Sequence, residues 1–241
     1  MPSVRVTLFQ KNINSEISKD QKQKLISQKS DFLILPEYFP SIDPGDSIRN
    51  MASRNKINLD RILEISEYYK GVIIGGSIFR EENGKIFNSC PIVQNITLID
   101  WYDKRDSSGK KKEIAIGENS GIYIMNSVRF GILSGNEALD ETVLQNFSKE
   151  KIQILFHPFA QNGTSEIESY EHDLDYYLSL SKKYSFHILR TCGIGNLFGD
   201  QIEGRSLYSS PTGINWKVGK AENNTEVMKT VTLVWNQGVF G

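Results

Sequence analysis

The sequence predicts a single α/β domain with buried strands, and three observations carry that expectation. Short apolar runs rich in β-branched residues alternate with amphipathic stretches. Glu82-Asn83-Gly84 and Pro211-Thr212-Gly213 supply hairpin turn chemistry, so some neighbouring strands must be antiparallel. No internal repeat, low-complexity tract or Pro/Ser-rich linker divides the chain, so residues 1–241 are read as one domain.

Strands are expected over residues 4–10, 31–36, 72–79, 90–94, 96–102, 128–133, 152–157 and 187–192, each of strand length and composition, with later ones over 204–209 and 227–235. Between them, residues 18–27, 59–69, 137–148 and 166–184 read as helices. In the third helix Leu139, Val143 and Phe147 recur at helical spacing, and in the fourth Leu174, Tyr177, Leu178 and Leu180 lie on or near one face. The run Lys110 to Lys112, preceded by Ser107, Ser108 and Gly109, reads as a solvated loop, with phosphate binding as the alternative.

Composition narrows the function. Lys and Arg number 28 against 29 Asp and Glu, and a net charge of -1 gives no electrostatic reason to expect nucleic acid or an anionic membrane as partner. A small-molecule ligand fits better. Apolar runs such as residues 32–35 are far too short to span a bilayer, and the N-terminus lacks a basic-then-apolar signal pattern, so the expected location is the cytoplasm. Cys90 and Cys192 form no CxxC pair and are expected to be buried, reduced thiols. His157, His172 and His187 are too widely spaced for the close ligand pairs of zinc sites, so neither a metal nor another cofactor is expected.

Three segments could carry chemistry. In Asp31 to Pro40, DFLILPEYFP, an apolar strand ends in Pro36 and delivers Glu37 among aromatic residues. A partly desolvated carboxylate is a better general base than a solvated one, and an ordinary solvated strand-end glutamate is the other reading. In Ile96 to Asp106, a strand is followed by Lys104 just past a Trp-Tyr pair, where an ammonium group could stabilise an oxyanion or simply be exposed. In Val128 to Leu139, VRFGILSGNEAL, a strand runs into a sharp Ser-Gly-Asn turn that opens a helix. Strand-to-helix elbows expose the nucleophile in many α/β enzymes, but the apex here is Gly135.

Taken together, these segments resemble the nitrilase, or carbon–nitrogen hydrolase, superfamily over nearly the whole chain. Gln10 closes a first strand as the family's does, and Leu35-Pro36-Glu37 matches the context of its catalytic glutamate. Gly75 and Gly76, then Asn88 and Ser89, match a Gly-Gly strand and a following hairpin, and Tyr102 and Lys104 match the Tyr-x-Lys of its catalytic lysine. Ile202, Gly204, Ser206, Pro211 and Gly213 match a C-terminal pattern. Aligning Gly131 with the glycine of the family's nucleophile segment and Glu137 with its acid puts Gly135 where the cysteine belongs. Ser134 is one residue off and should point away from the site.

The resemblance implies a four-layer α-β-β-α sandwich and a homodimer formed through a helical face. It also implies a further active-site glutamate, for which Glu113 is the first candidate and Glu118 the second, and it makes Tyr38, Asn136, Glu137 and His157 the substrate-binding candidates. Glycine supplies no nucleophilic atom. The expected function is therefore that of a catalytically impaired carbon–nitrogen hydrolase-like protein, with an amide, nitrile or amine as its ligand. The alternatives are an active amidase-type hydrolase using Ser134 or an activated water, and an amidase whose nucleophile was deleted by engineering.

Overall fold

The computed structural model describes residues 3–40, 47–105, 113–160 and 167–234, the side chains of residues 139 and 167–169 excepted. The first half of the chain contributes β1 (Ser3–Asn12), α1 (Lys19–Gln28), β2 (Phe32–Leu35), α2 (Ile48–Ser53), α3 (Asn55–Tyr68), β3 (Val72–Gly75), β4 (Ile78–Glu82), β5 (Lys85–Gln94) and β6 (Thr97–Asp103). The second contributes β7 (Ile122–Met125), β8 (Val128–Ile132), a 3-10 turn (Gly135–Leu139), α4 (Glu141–Lys149), β9 (Ile154–Phe159), α5 (Ile167–Tyr184), β10 (His187–Leu197), β11 (Asp200–Ile202), β12 (Leu207–Ser210) and β13 (Gly213–Lys217). Finally, β14 (Val227–Val234) returns to lie antiparallel to β1.

Hydrogen bonding follows the order β14-β1-β2-β3-β5-β6 in one half and β7-β8-β9-β10-β12-β13 in the other. The β1–β2, β2–β3, β8–β9 and β9–β10 pairs are parallel and the outer pairs antiparallel. The ends of β1 and β10 join the halves through Lys11 opposite Gly193 and Asn12 opposite Ile194.

Alternation along the strands builds the layers, because successive side chains point to opposite faces. Phe32 and Ile34 of β2 meet Phe130 of β8 and Phe156 of β9 in the core between the two halves. Leu33 and Leu35 face the other way, onto Leu25 of α1 and Ile62 and Ile65 of α3. In the second half Leu155 and Ile188 pack outward against Phe147 of α4 and Tyr177 and Leu180 of α5. The result is the expected α-β-β-α sandwich, with strands buried on both faces and hence near-continuous apolar runs. Among the described residues no helix is long and apolar enough to cross a membrane.

The structure departs from the sequence expectations in several places. Residues 72–79 are two strands, broken at Gly76, whose φ of +70° lies in the left-handed region and where a Cβ would run into the Pro36 carbonyl. The strand expected from Cys90 begins at Lys85, because the Asn83-Gly84 turn, both residues at positive φ, folds β5 back on β4. The helix expected over residues 137–148 is a 3-10 turn followed by α4, since Asp140 is extended and its carboxylate caps the Thr142 and Val143 N–H groups. The short elements α2 and β7 were not anticipated. The Lys110 to Lys112 loop, Glu166 at the expected start of α5, and Trp235 at the expected end of the last strand lie outside the described residues.

The C-terminal motif residues close the sandwich. Gln10 Oε1 accepts from the Ser206 N–H (3.2 Å) and Oγ (3.0 Å), and its Nε2 donates to the carbonyls of Glu222 (3.2 Å) and Thr225 (2.9 Å).

Candidate functional site

Glu37, Lys104 and Gly135, far apart in sequence, meet at the ends of β2, β6 and β8. Pro36 stops β2 for want of an N–H, and the chain turns through Tyr38, whose φ is +62°, leaving the Glu37 side chain only 2% exposed. A carboxylate so placed needs partners. Oε1 accepts from Lys104 Nζ at 3.1 Å and from Asn88 Nδ2 at 3.3 Å, and Oε2 accepts from the Ala160 N–H at 3.1 Å. Lys104 is positioned by its own N–H, which donates to the Asn88 carbonyl at 2.8 Å. Beside it Arg80 ties β4, β5 and β6 together, with Nη2 on Asp103 Oδ2 at 2.7 Å and Nε on Ser89 Oγ at 2.9 Å.

The elbow after β8 is held from two sides. Glu137, 2% exposed, accepts from the Tyr102 hydroxyl (2.7 Å), the Arg105 N–H (2.6 Å) and the Ser134 N–H (2.7 Å). Burial raises its pKa against the opposing pull of those hydrogen bonds and of Lys104. On the other side, fully buried His157 donates from Nε2 to the Gly135 carbonyl at 2.7 Å. That bond fixes the tautomer, so Nδ1 accepts from the Tyr177 hydroxyl at 3.2 Å. Burial depresses the His157 pKa from 6.5 to about 3, and the ring is neutral at physiological pH.

Gly135 stands at φ +57°. A Cβ built there overlaps Lys104 Nζ and lies 3.1 and 3.2 Å from the two Glu37 oxygens. Position 135 therefore aims any side chain at the ammonium and the carboxylate.

The other sequence candidates fall in several places. Tyr38 is half-buried, its ring against Phe79 (5.7 Å between centroids) and Phe198 (6.1 Å), and burial followed by the Glu37 charge keeps its phenol protonated. Glu137 and His157 lie at the elbow, but their hydrogen bonds go to protein groups that support it. Asn136 is exposed. Glu113 and Glu118 are exposed too and make no hydrogen bond or ion pair among the described residues; Glu113 lines an open surface groove with Arg49, Glu81 and Lys85. The buried acid next to Lys104 besides Glu37 is Glu137. Ser134 is 1% exposed and its Oγ makes no hydrogen bond among the described residues.

Cys90 and Cys192 are free and buried inside β5 and β10, and burial pushes both thiols up. Among the described residues no cluster of three His, Cys, Asp or Glu side chains could hold a metal. Sequence reasoning missed Asn88 and Ala160 as partners of Glu37 and Tyr177 as the partner of His157. Asn88 stood in a recognised motif, and Tyr177 read only as part of an apolar helix face. A backbone N–H such as that of Ala160 leaves no signal in a sequence.

No protein-family model matches the chain, and no curated protein matches it in sequence. Its fold is shared with solved structures. Glutamine-dependent NAD+ synthetase from Acinetobacter baumannii, in complex with ADP, superposes with a TM-score of 0.77 at 15% identity, the match covering 99% of this chain and 46% of that one. The chain thus spans less than half the length of that synthetase chain. Saccharomyces cerevisiae Nit3, a member of branch 10 of the nitrilase superfamily, gives 0.78 at 18% identity over 96% of this chain and 90% of its own. XC1258 from Xanthomonas campestris, a CN-hydrolase superfamily protein with an arsenic adduct in the active site, gives 0.78 at 15% identity over 97% and 91%.

Proposed function

We propose that this chain is a carbon–nitrogen hydrolase-like protein whose pocket binds a small amide, nitrile, amine or carboxylate and lacks covalent catalysis because residue 135 is glycine. One observation carries the reading: the Cβ position of residue 135 lies against both Lys104 Nζ and the Glu37 carboxylate, yet holds no atom that could attack. In the family that the chain resembles, the glutamate takes a thiol proton, the thiolate attacks the nitrile or amide carbon, and the lysine stabilises the developing charge. The 3.1 Å contact between Lys104 Nζ and Glu37 Oε1 supports giving them the first and third tasks. Deleting a catalytic nucleophile commonly costs on the order of a million-fold in rate, so only background hydrolysis is expected.

Ser134 is not favoured as a substitute, because its Oγ makes no hydrogen bond to a base. The test is to compare ammonia release by the natural protein and by Gly135→Cys over short amides, ω-amides and nitriles. Lys104 Nζ is the far end of a flexible side chain and can withdraw to admit the new Cβ. Turnover by the cysteine variant alone is the expected result. Enzyme-like turnover by the natural protein would overturn the reading, and inactivity of both would mean that the pocket is not a hydrolase site.

A further inference from the structure

Lys104 Nζ stands where the first atom of a residue-135 side chain would be. It is the nitrogen nearest the elbow's reacting position, and Glu37 Oε1 lies 3.1 Å away, within reach of one proton. The Lys104 side chain is 15% exposed and that of Glu37 2%, so the lysine meets solvent along part of its length while the carboxylate is sheltered. Asn88 also holds Glu37 Oε1, and its own Oδ1 is buried with no hydrogen-bond partner among the described residues. The pocket therefore offers an amine, a neighbouring proton acceptor and an unused acceptor oxygen that would take a donor hydroxyl or N–H.

From this arrangement we infer that the pocket forms an imine between Lys104 and a small aldehyde. This deepens the proposed function and rests on its claim that position 135 supplies no competing nucleophile. The step balances within the site. The Lys104 ammonium passes a proton to Glu37, and the free amine adds to the aldehyde carbon, forming the C–N bond. A proton moves from nitrogen to the former carbonyl oxygen, giving a carbinolamine. Glu37 returns its proton to that hydroxyl, the C–O bond breaks, and water leaves. The product is a protonated iminium paired with the restored Glu37 carboxylate, with no oxidant or reductant consumed. The 3.1 Å contact between Lys104 Nζ and Glu37 Oε1 lets both proton transfers run within the pair.

The test uses the intact protein with propanal as probe and cyanoborohydride to trap the imine, read by peptide mass mapping. Lys104 is expected to be labelled at least about ten-fold faster than exposed lysines such as Lys24 and Lys183, and Glu37→Gln to slow Lys104 by about a hundred-fold while leaving those lysines unchanged, in line with a positioned acid–base group. Labelling of Lys104 no faster than the exposed lysines in the natural protein, which needs no variant, overturns the inference. So does labelling that Glu37→Gln leaves unchanged in a variant with native circular dichroism. Ammonia release by Gly135→Cys is measured separately: its success beside unselective labelling would refute the imine and keep the proposed function, and amide turnover by the natural protein would refute the latter whatever the labelling.

Discussion

His157 should make the protein acid-sensitive in a way that one substitution removes. Burial lowers its pKa from 6.5 to about 3, so below pH 6.5 the unfolded chain takes up a proton that the folded ring refuses. The stability tied to this group is complete above that value and is lost as pH falls toward about 3. Over the interval from 6.5 down to about pH 5, the loss is at most about 2 kcal/mol, at 1.36 kcal/mol per pH unit. His187 is also depressed by burial and acts with the same sign, whereas Glu137, raised by burial, acts with the opposite sign. The informative quantity is therefore a double difference. Urea unfolding of the natural protein and of His157→Gln, which can still donate to the Gly135 carbonyl, is compared at about pH 7.5 and about pH 5. The natural protein should lose roughly 1–2 kcal/mol more than the variant across that interval. Equal losses would show that His157 is not the buried neutral donor seen in the structure.

Other perturbations test the elbow and the assembly. Glu137→Ala strips the acceptor from Tyr102, Arg105 and Ser134 together and should cost about 3 kcal/mol or more in urea unfolding; a cost under about 1 kcal/mol would refute its supporting role. Gly135→Ala places a Cβ at φ +57° and against Lys104 Nζ and should cost about 1–2 kcal/mol, whereas unchanged stability would argue against the left-handed elbow. The homodimer implied by the resemblance is proposed to hold in solution, and a monodisperse monomer by light scattering would refute it.

How much of this was legible in the sequence follows from burial. β2 and β3 were readable because both faces are covered and the apolar run is unbroken. β7 differs in being only partly buried, and α2, at six residues, is too short to show a period. The break at Gly76 depends on how close the chain passes to Pro36, a tertiary fact that no local pattern carries. Within the site, Glu37 and Lys104 lie 67 residues apart and were connected through the resemblance alone. Glu113 was chosen by its place in an irregular loop, and loop spacing does not fix where a side chain ends up. By contrast Glu137, two residues past the elbow's apex, is held by contacts from β6 and its neighbour, and is the acid that burial selects.

The site separates into a framework and a reactive pair, and the residue at position 135 belongs to both. The framework of Glu137, Tyr102, His157 and Tyr177 fixes the elbow's backbone through hydrogen bonds to Ser134 and Gly135 main-chain atoms, so it does not depend on what side chain the apex carries. The reactive pair of Glu37 and Lys104 is held by Asn88 and the Ala160 N–H, again without contribution from residue 135. Glycine is also the residue that accepts φ +57° with least strain. A glycine at the apex suits the elbow's backbone and carries no attacking atom of its own, so on the proposed reading stability and thiol chemistry come apart at this one position. If that separation holds, Gly135→Cys should be less stable than the natural protein while gaining turnover, opposite signs in two assays on one variant. A cysteine variant as stable as the natural protein would mean that the elbow is not strained, and the framework would then have to be credited with more of the site's geometry than its hydrogen bonds describe.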